Sequence, residues 1–344
     1  MHVCGETDRS LRSIRYPLAV AISKGGEHTM ATETAAKTVV TPKKTKKFSR
    51  FKRRERFFDF LCTVPALIFF AVFVYFPVGS LFRISLTNWN LMNKNVKFVG
   101  LKNYKWLFFG TGWEKLLHSL KVTFLYTLGE VLLTVIGGIL LALLFNRMTR
   151  SFNAMRAIVI LPKYVAVSSS ALIFLWILNE QYGILNYFLS FFGIPKIHWL
   201  GSEKTALLSV LFLTAWRVVG YAMMIYLSAI KGISPQYYEA AALDGANAFQ
   251  RFRYITIPLL SPTTLFLVVT TFISSMKVYQ SVDVMTDGGP YEATNVMVFW
   301  IYRLAFVDYR VDRAAAIGCI FFIILLVCTI ITMQWSQKKV NYDA

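Results

Sequence analysis

Polar and aromatic side chains interrupt two strongly apolar stretches of the sequence. These residues are Trp216, Arg217, Tyr221, Ser275, Lys277, Tyr279 and Asp283. Charged groups and hydroxyls bind polar solutes through hydrogen bonds, and aromatic rings offer them a stacking surface. A polar group inside a membrane span is costly, and such residues are therefore hypotheses for a functional site by default. We predict that this set lines the route of a polar substrate.

Lys277 is the most informative of these residues, because it places a cation within the run T-T-F-I-S-S-M-K-V-Y-Q-S-V-D-V-M. In a helix, Tyr279 and Asp283 share a face, whereas Ser275 and Tyr279 lie off the face of Lys277. The alternative to a substrate site is that Lys277 and Asp283 pair with another subunit. The lysine also has the length to reach the headgroups of a membrane.

The earlier stretch places aromatic rings and a cation on adjoining helix faces. Trp216 and Gly220 share one face, and Arg217 and Tyr221 share the neighbouring one. Packing is the alternative explanation, since an apolar stripe at helical spacing commonly faces a neighbouring helix.

The composition indicates a membrane protein. The 344-residue chain is 56% hydrophobic, its mean hydropathy is +0.51 and 16% of its residues are charged. Its apolar residues form long runs, which is typical of a polytopic membrane protein. The net charge of +19 does not indicate nucleic-acid binding, because that function needs a folded basic face. Instead, residues 1–56 form a polar tail with 14 basic and 5 acidic residues.

The sequence offers no arrangement for catalysis or metal binding. The four cysteines, at positions 4, 62, 319 and 328, form no C-x-x-C motif, and the last three fall in or beside apolar runs. No G-x-x-x-x-G-K-[ST] loop is present, so the chain does not hold ATP by that device. We therefore expect a protein that is not an enzyme and that holds no metal or cofactor of its own.

Six apolar runs are long enough to cross a bilayer as helices, which takes roughly 20 residues each. They are approximately Phe60–Phe82, Ser119–Phe145, Ala154–Leu178, Thr205–Ile230, Thr263–Met285 and Ala314–Trp335. We expect Gly137 and Gly138 to permit close helix packing in the second run, and Pro162 to kink the third. The predicted fold class is all-α, a polytopic membrane protein with six transmembrane helices.

The predicted organisation is a basic, disordered cytoplasmic tail (residues 1–56) and a six-span domain (residues 57–340). The basic block Lys43–Arg56 places the N-terminus in the cytoplasm, where it lies against anionic lipid. Six spans then return the C-terminus to the same side. The loop Arg83–Lys115 carries six basic residues and argues for the opposite orientation, but it is long and its charges are dilute. Met30 is an alternative start site within the tail.

A polar segment, residues 234–262, separates two of the apolar runs and is named the elbow below. Ser234 and Pro235 form a helix-start signal, in which the hydroxyl caps the helix and the proline occupies its first turn. Gly245 permits a turn with positive φ, and a second short helix is expected over about residues 246–254. We predict a helix–turn–helix at a cytoplasmic membrane face.

The elbow contains the series E-A-A, three residues, G, nine residues, I, one residue and I-P. Its members are Glu239, Ala240, Ala241, Gly245, Ile255, Ile257 and Pro258. This spacing resembles the EAA loop of the binding-protein-dependent ABC importer permeases, a MetI-like family, although Ile257 stands where that family usually has leucine. An amphipathic linker with these residues by chance is the alternative.

Two further elements resemble markers of the carbohydrate branch of that family, which includes the maltose and glycerol-phosphate permeases. Residues 98–104 read F-V-G-L-K-N-Y, like the F-x-G-L-x-N-Y element before the second span, and residues 286–290 read T-D-G-G-P after the fifth. A Gly-Gly-Pro turn alone is only a turn. The resemblance extends from about residue 55 to residue 340.

The resemblance implies one permease subunit of an importer that moves a carbohydrate, such as an oligosaccharide, across a bacterial cytoplasmic membrane. It also implies an ATPase dimer that binds ATP and Mg²⁺, a second permease that is usually a different chain, and an extracytoplasmic solute-binding protein. The coupling residues would be Glu239, Ala240, Ala241, Gly245, Ile255 and Pro258. Both polar stretches align with those that line the sugar site of the maltose permease.

Three other functions remain open from the sequence. A permease for glycerol phosphate or another polyol derivative would suit the cations Arg217 and Lys277. A secondary transporter or channel would show inverted repeats, broken helices or a charged relay, and the sequence shows no such repeat. A structural subunit with a degenerate pathway would not need the intact spacing of the elbow.

Overall fold

The computed structural model describes residues 47–92, 95–146 and 149–337, with side chains over 59–92, 95–146 and 149–334. Within these ranges the chain is predominantly helical, and an isolated β-bridge joins Thr87 to Phe98. The chain divides into two units, Met1–Val64 and Pro65–Ala344. Most of the predicted tail, residues 1–46, lies outside the described residues, and the predicted domain limits stay predictions.

The α-helices follow one another with short connections. In chain order they are α1 (Lys47–Phe70), α2 (Phe76–Ser85), α3 (Lys102–Phe109), α4 (Gly112–Leu144), α5 (Arg150–Ile160), α6 (Val167–Ile177), α7 (Ile184–Ser190), α8 (Glu203–Gly232), α9 (Pro235–Leu243), α10 (Ala248–Arg251), α11 (Ile257–Leu259), α12 (Ser261–Met276), α13 (Gln280–Thr286), α14 (Met297–Tyr302) and α15 (Val311–Gln337). Short π-helical segments cover Ala71–Tyr75, Phe252–Thr256 and Arg303–Val307, and Leu161–Tyr164 forms a 3₁₀ turn.

Four helical stretches of the described chain are long and apolar enough to cross a membrane. They are Asp59–Ser85, Gly112–Leu144, Glu203–Gly232 and Val311–Gln334. Two further spans are present only if each bent pair counts as one: Arg150–Tyr164 with Val167–Ile177, bent by 103°, and Ala248–Leu259 with Ser261–Met276, bent by 62°. The all-α membrane fold is confirmed, while the six-span count stays a prediction.

The break in the third predicted span follows Pro162, where the sequence predicts a kink. Pro162 lies in the 3₁₀ turn, and Val165 and Ala166 then adopt ψ angles of 138° and 140°, which are not helical. Proline has no N–H and its ring clashes with the carbonyl four residues before it, which is consistent with the change from α5 to a 3₁₀ turn at Pro162.

The fifth predicted span is not one helix, and the argument from helix faces around Lys277 is therefore wrong. α12 ends at Met276, Lys277 follows it, and Tyr279 lies in the break before α13. Here the amide of Lys277 donates to the Ser274 carbonyl at 3.2 Å, three residues back. The Ser274 hydroxyl also bonds the carbonyl three residues before it, at 3.0 Å. Such local bonds compete with the helical ladder.

The contact between α4 and α8 is the most extensive in the fold, and α12 packs on α4. A Cβ at Gly138 would lie 2.8 Å from the Cβ of Ala222, and one at Gly137 would lie 2.9 Å from the Val219 Cγ1. These glycines therefore permit the close approach predicted from the sequence. The core beside this contact includes Val122, Tyr126, Phe174, Leu211 and Phe299.

Asn103 shows the structural role of the F-V-G-L-K-N-Y element at residues 98–104. Its buried Nδ2 donates to the carbonyls of Ser85 at 2.9 Å and Thr87 at 2.8 Å. Ser85 is the last residue of α2, where helix carbonyls lack intrahelical partners, and Thr87 follows in the connection. The Tyr104 hydroxyl lies 2.8 Å from the Ser85 hydroxyl, and burial raises the pKa of this phenol. The element thus fixes the connection from α2 to α3.

Candidate functional site

The elbow is a helix, a left-handed turn and a second helix, as predicted. α9 begins at Pro235 and ends in a Schellman motif. In this motif the Ala246 amide donates to the Ala241 carbonyl at 2.9 Å, and the Gly245 amide donates to the Ala242 carbonyl at 3.1 Å. Gly245 has φ +80°, and an added Cβ would meet no atom within 4 Å. The preference for glycine therefore arises from the backbone conformation alone.

The helix caps of the elbow differ from the prediction. The Ser234 side chain makes no capping bond, so the expected hydroxyl cap is wrong, although the proline of the first turn still marks the start of α9. The second helix begins at Ala248 and is capped by Asn247, whose Oδ1 accepts from the Gln250 amide at 2.9 Å. Gln250 Oε1 in turn accepts from the Asn247 amide at 2.8 Å. This Asn-x-x-Gln capping box was readable in the sequence.

One predicted coupling residue, Glu239, lines an open groove of about 680 Å³ beside the elbow, named the elbow groove. Other lining residues are Asn146, Lys231, Tyr238, Ala242, Ala248, Arg251, Phe252 and Thr256. The other predicted coupling residues do not line this groove. Of these, Ala240 and Gly245 are exposed, and Ala241, Ile255 and Pro258 are half-buried. The Tyr238 hydroxyl lies 3.0 Å from the Thr256 hydroxyl, which ties α9 to the segment that precedes α12.

Two apolar side chains of the elbow project into solvent, and sequence reasoning missed both. Leu243 is 90% exposed and Phe249 is 72% exposed. Exposed large apolar groups on a polar segment are typical of contact surfaces. Their signal in the sequence is an apolar residue on each side of the predicted turn at Gly245.

Three of the predicted pathway residues, Arg217, Lys277 and Tyr279, meet in a cavity of about 430 Å³ that we name the polar cavity. The α4–α8 pair, the 3₁₀ turn and the break before α13 form its walls. Its lining is Tyr126, Glu130, Lys163, Val167, Thr214, Arg217, Val218, Ser274, Lys277, Val278, Tyr279, Gln280 and Ser281. Residues from four distant parts of the sequence therefore converge on one site.

The guanidinium of Arg217 is held by a single hydrogen bond within the described residues. Its Nη2 donates to the Val165 carbonyl at 2.9 Å, where the broken third span frees that carbonyl. Its Nε is buried and has no hydrogen-bond partner among the described residues. Lys163 lies nearby with its Nζ 5.1 Å from the ring centroid of Tyr221, a cation–π distance that connects Tyr221 to the cavity wall.

The other predicted pathway residues lie outside the described cavity lining. Trp216 packs on Phe174, with ring centroids 5.4 Å apart. Ser275 is buried and its hydroxyl donates to the Phe272 carbonyl at 3.0 Å, which is a structural bond. Asp283 lies in the first turn of α13.

Glu130 and Lys163 are cavity residues that the sequence analysis missed. Glu130 interrupts the apolar run T-F-L-Y-T-L-G-E-V-L-L-T within α4, and its side chain is buried. The rule that selects Lys277, a charge within an apolar span, also selects Glu130. Lys163 follows Pro162 at the kink, and only the tertiary structure shows that it faces the same cavity. The described residues contain no cluster of histidine, cysteine and carboxylate groups arranged to hold a metal.

Several known proteins are similar to this chain in sequence and in fold. Residues 134–342 match the family model "Binding-protein-dependent transport system inner membrane component". The trehalose/maltose permease protein MalF of Thermococcus litoralis is 31% identical over 85% of this chain and 97% of its own. The sn-glycerol-3-phosphate permease protein UgpA of Agrobacterium fabrum is 29% identical over 82% and 96%. A crystal structure of a bacterial ABC transporter involved in import of the acidic polysaccharide alginate matches with a TM-score of 0.74 and 25% identity, over 86% of this chain and 100% of that chain.

The family match covers more than half of the chain and includes the elbow, α8 and α12. The predicted family is therefore confirmed, and the chain is a membrane transport subunit rather than an enzyme. This chain belongs to the family of binding-protein-dependent transport system inner membrane components, the permease subunits of ABC transporters.

Proposed function

We propose that this permease forms half of the path by which an ATP-driven importer moves a carbohydrate, such as an oligosaccharide, across a bacterial cytoplasmic membrane. The observation that carries the proposal is the polar cavity, where Arg217, Lys277 and Tyr279 converge between apolar helices. Charged groups there bond sugar hydroxyls, and the tyrosine ring stacks on a sugar face. The relatives named for trehalose/maltose and for alginate support a carbohydrate substrate.

The elbow is proposed as the docking site of an ATPase dimer that binds ATP and Mg²⁺. The exposed side chains of Leu243 and Phe249 provide apolar contact area, and Glu239 provides a charge beside them. Gly245 sets the angle between the two short helices. Ala240, Ala241, Ile255 and Pro258 complete the coupling set of the elbow.

A second permease, a different chain, is proposed to close the open side of the polar cavity. An exposed Lys277 in the isolated chain supports this arrangement, because a cation in apolar surroundings needs water or a partner. An extracytoplasmic solute-binding protein delivers the substrate on the opposite side from the elbow. Both termini are cytoplasmic in this proposal, and the basic block Lys43–Arg56 contacts anionic lipid.

The test is uptake by proteoliposomes that contain this chain, its partner permease and the ATPase, with the binding protein outside. Labelled oligosaccharides should accumulate only with ATP inside and the binding protein present. Vesicles in which Gly245→Val replaces the native permease should lose uptake and keep the inserted protein, because a β-branched residue is strongly disfavoured at positive φ. Accumulation driven by an ion gradient without ATP would contradict the proposal and indicate a secondary transporter.

Import of glycerol phosphate is the second candidate, and one observation favours it. Arg217 and Lys277 are cations in the polar cavity, and the relative UgpA is named for sn-glycerol 3-phosphate. The same vesicles distinguish the two candidates. Uptake of labelled sn-glycerol 3-phosphate without uptake of any oligosaccharide would establish the second.

A further inference from the structure

We infer that the carbohydrate carries a carboxylate, as a uronic acid does, and that Arg217, Lys163 and Lys277 of the polar cavity bind this group. The inference rests on the proposed function, because it names the substrate class of the same cavity. It adds two cavity residues, Lys163 and Glu130, to those selected from the sequence.

The charges of the polar cavity do not balance within the described lining. Lys163, Arg217 and Lys277 face the cavity, and Glu130 is the only carboxylate of that lining. With three cations and one anion, the lining has two positive charges in excess. Cations without counter-ions are costly among apolar helices, and a bound anion lowers that cost. A neutral sugar would need hydrogen-bonding groups here but no surplus of charge.

The geometry of Arg217 suits a carboxylate. The Nη2 amino group is held by the Val165 carbonyl and Nε is buried from solvent, so the guanidinium is oriented, while Nη1 makes no hydrogen bond within the described residues and stays available to a ligand. The planar fork of arginine binds a carboxylate through two parallel hydrogen bonds. Because the Val165 bond fixes the group beforehand, less conformational entropy is lost when the substrate binds.

Glu130 lies near two of the cations but pairs with neither of them. Lys163 and Arg217 lie close enough to interact electrostatically with its carboxylate, yet no ion pair joins Glu130 to either one in the described part of the chain. The fully buried Tyr126 hydroxyl lies beside Glu130, Thr214 and Ser281, and none of them reaches hydrogen-bonding geometry with it. The wall of the polar cavity therefore holds polar groups that are desolvated before any substrate arrives.

The assembled importer in proteoliposomes tests this inference with three labelled probes: trigalacturonate, the neutral galactotriose of equal length, and sn-glycerol 3-phosphate. Uptake of trigalacturonate should exceed that of galactotriose by about tenfold or more, the worth of a charge-assisted hydrogen bond. Arg217→Met should remove most of this preference. The matched control is Lys204→Met, an exposed lysine on the same helix, which should leave it unchanged.

Co-purification with the ATPase verifies that each variant assembles. If Arg217→Met does not assemble, Lys277→Gln takes its place, since Lys277 is exposed at a helix end and its replacement opens no cavity. Glu130→Gln should lower the KM for trigalacturonate, because it removes the negative charge that opposes the substrate, and should leave the KM for galactotriose unchanged.

The outcomes separate the inferred binding of a carboxylate from the proposed import of a carbohydrate. Equal or preferred uptake of galactotriose would overturn the carboxylate and leave carbohydrate import standing. Uptake of glycerol phosphate alone would keep anion binding but overturn an acidic sugar. No uptake of any probe would count against both the inference and the proposed function. Unchanged preference in Arg217→Met and Lys277→Gln would overturn the role of the polar cavity.

Discussion

Replacing Gly245 by alanine should uncouple the ATPase through the backbone of the elbow. Gly245 adopts φ +80° in the Schellman motif, and nothing lies within 4 Å of an added Cβ. No steric clash therefore contributes, and the cost is that of holding an L-residue in the left-handed region, roughly 1–2 kcal/mol. That cost lowers the population of the native turn relative to open alternatives by a factor of about 5–30.

The assay is the Kd between the detergent-solubilised permease and its ATPase, followed by ATP-driven uptake. Gly245→Ala should weaken the ATPase complex by up to the same factor of about 5–30, while insertion into the membrane stays normal. Gly245→Asn is the matched control, because asparagine tolerates the left-handed region better than alanine does and finds the same free space. It should retain most of the affinity. Equal affinity of the native, Ala and Asn proteins would refute the reasoning, as would an equal loss in both variants.

Three further predictions concern the pathway, the packing and the topology. Lys277→Met should impair uptake while ATPase docking and protein level stay normal; wild-type uptake would remove Lys277 from the pathway. Gly138→Val should destabilise the α4–α8 contact by about 1–3 kcal/mol, measured by thermal unfolding in detergent, because its side chain overlaps Ala222; an unchanged Tm would contradict this packing. In a chain without its four native cysteines, the exposed Lys102→Cys should react with an impermeant reagent from outside and Asn247→Cys should not; the reverse pattern would invert the topology.

Local signals in the sequence were sufficient to predict the start of α9 and the turn of the elbow. Pro at the first turn and Gly with positive φ are properties of single residues, so Pro235 and Gly245 are placed correctly. The cap of the second helix was equally local, and Asn247 with Gln250 was overlooked rather than hidden. Gly138 was also readable, since adjacent glycines in an apolar helix indicate close approach.

The polar cavity is formed by tertiary contacts, and the sequence alone indicated only some of its residues. Lys163 joins Arg217 there because the chain turns sharply after Pro162, and the size of that bend is not written in the local sequence. The helix break at Lys277 follows no proline or glycine, so periodicity predicted a continuous helix. Glu130 was visible as a charge in an apolar run, but its proximity to the two cations requires the fold.

The central claim, that the elbow transmits the work of an ATPase, is tested most directly by site-specific photo-crosslinking in the assembled complex. A photoreactive amino acid at Leu243 or Phe249, both highly exposed on the elbow, should crosslink to the ATPase, and the yield should change when ATP binds. The control is Tyr291, which is 87% exposed and lies beyond the fifth span, on the side opposite the elbow in the proposed topology. It should give no ATPase crosslink. Crosslinking from Tyr291 and none from the elbow positions would contradict the account.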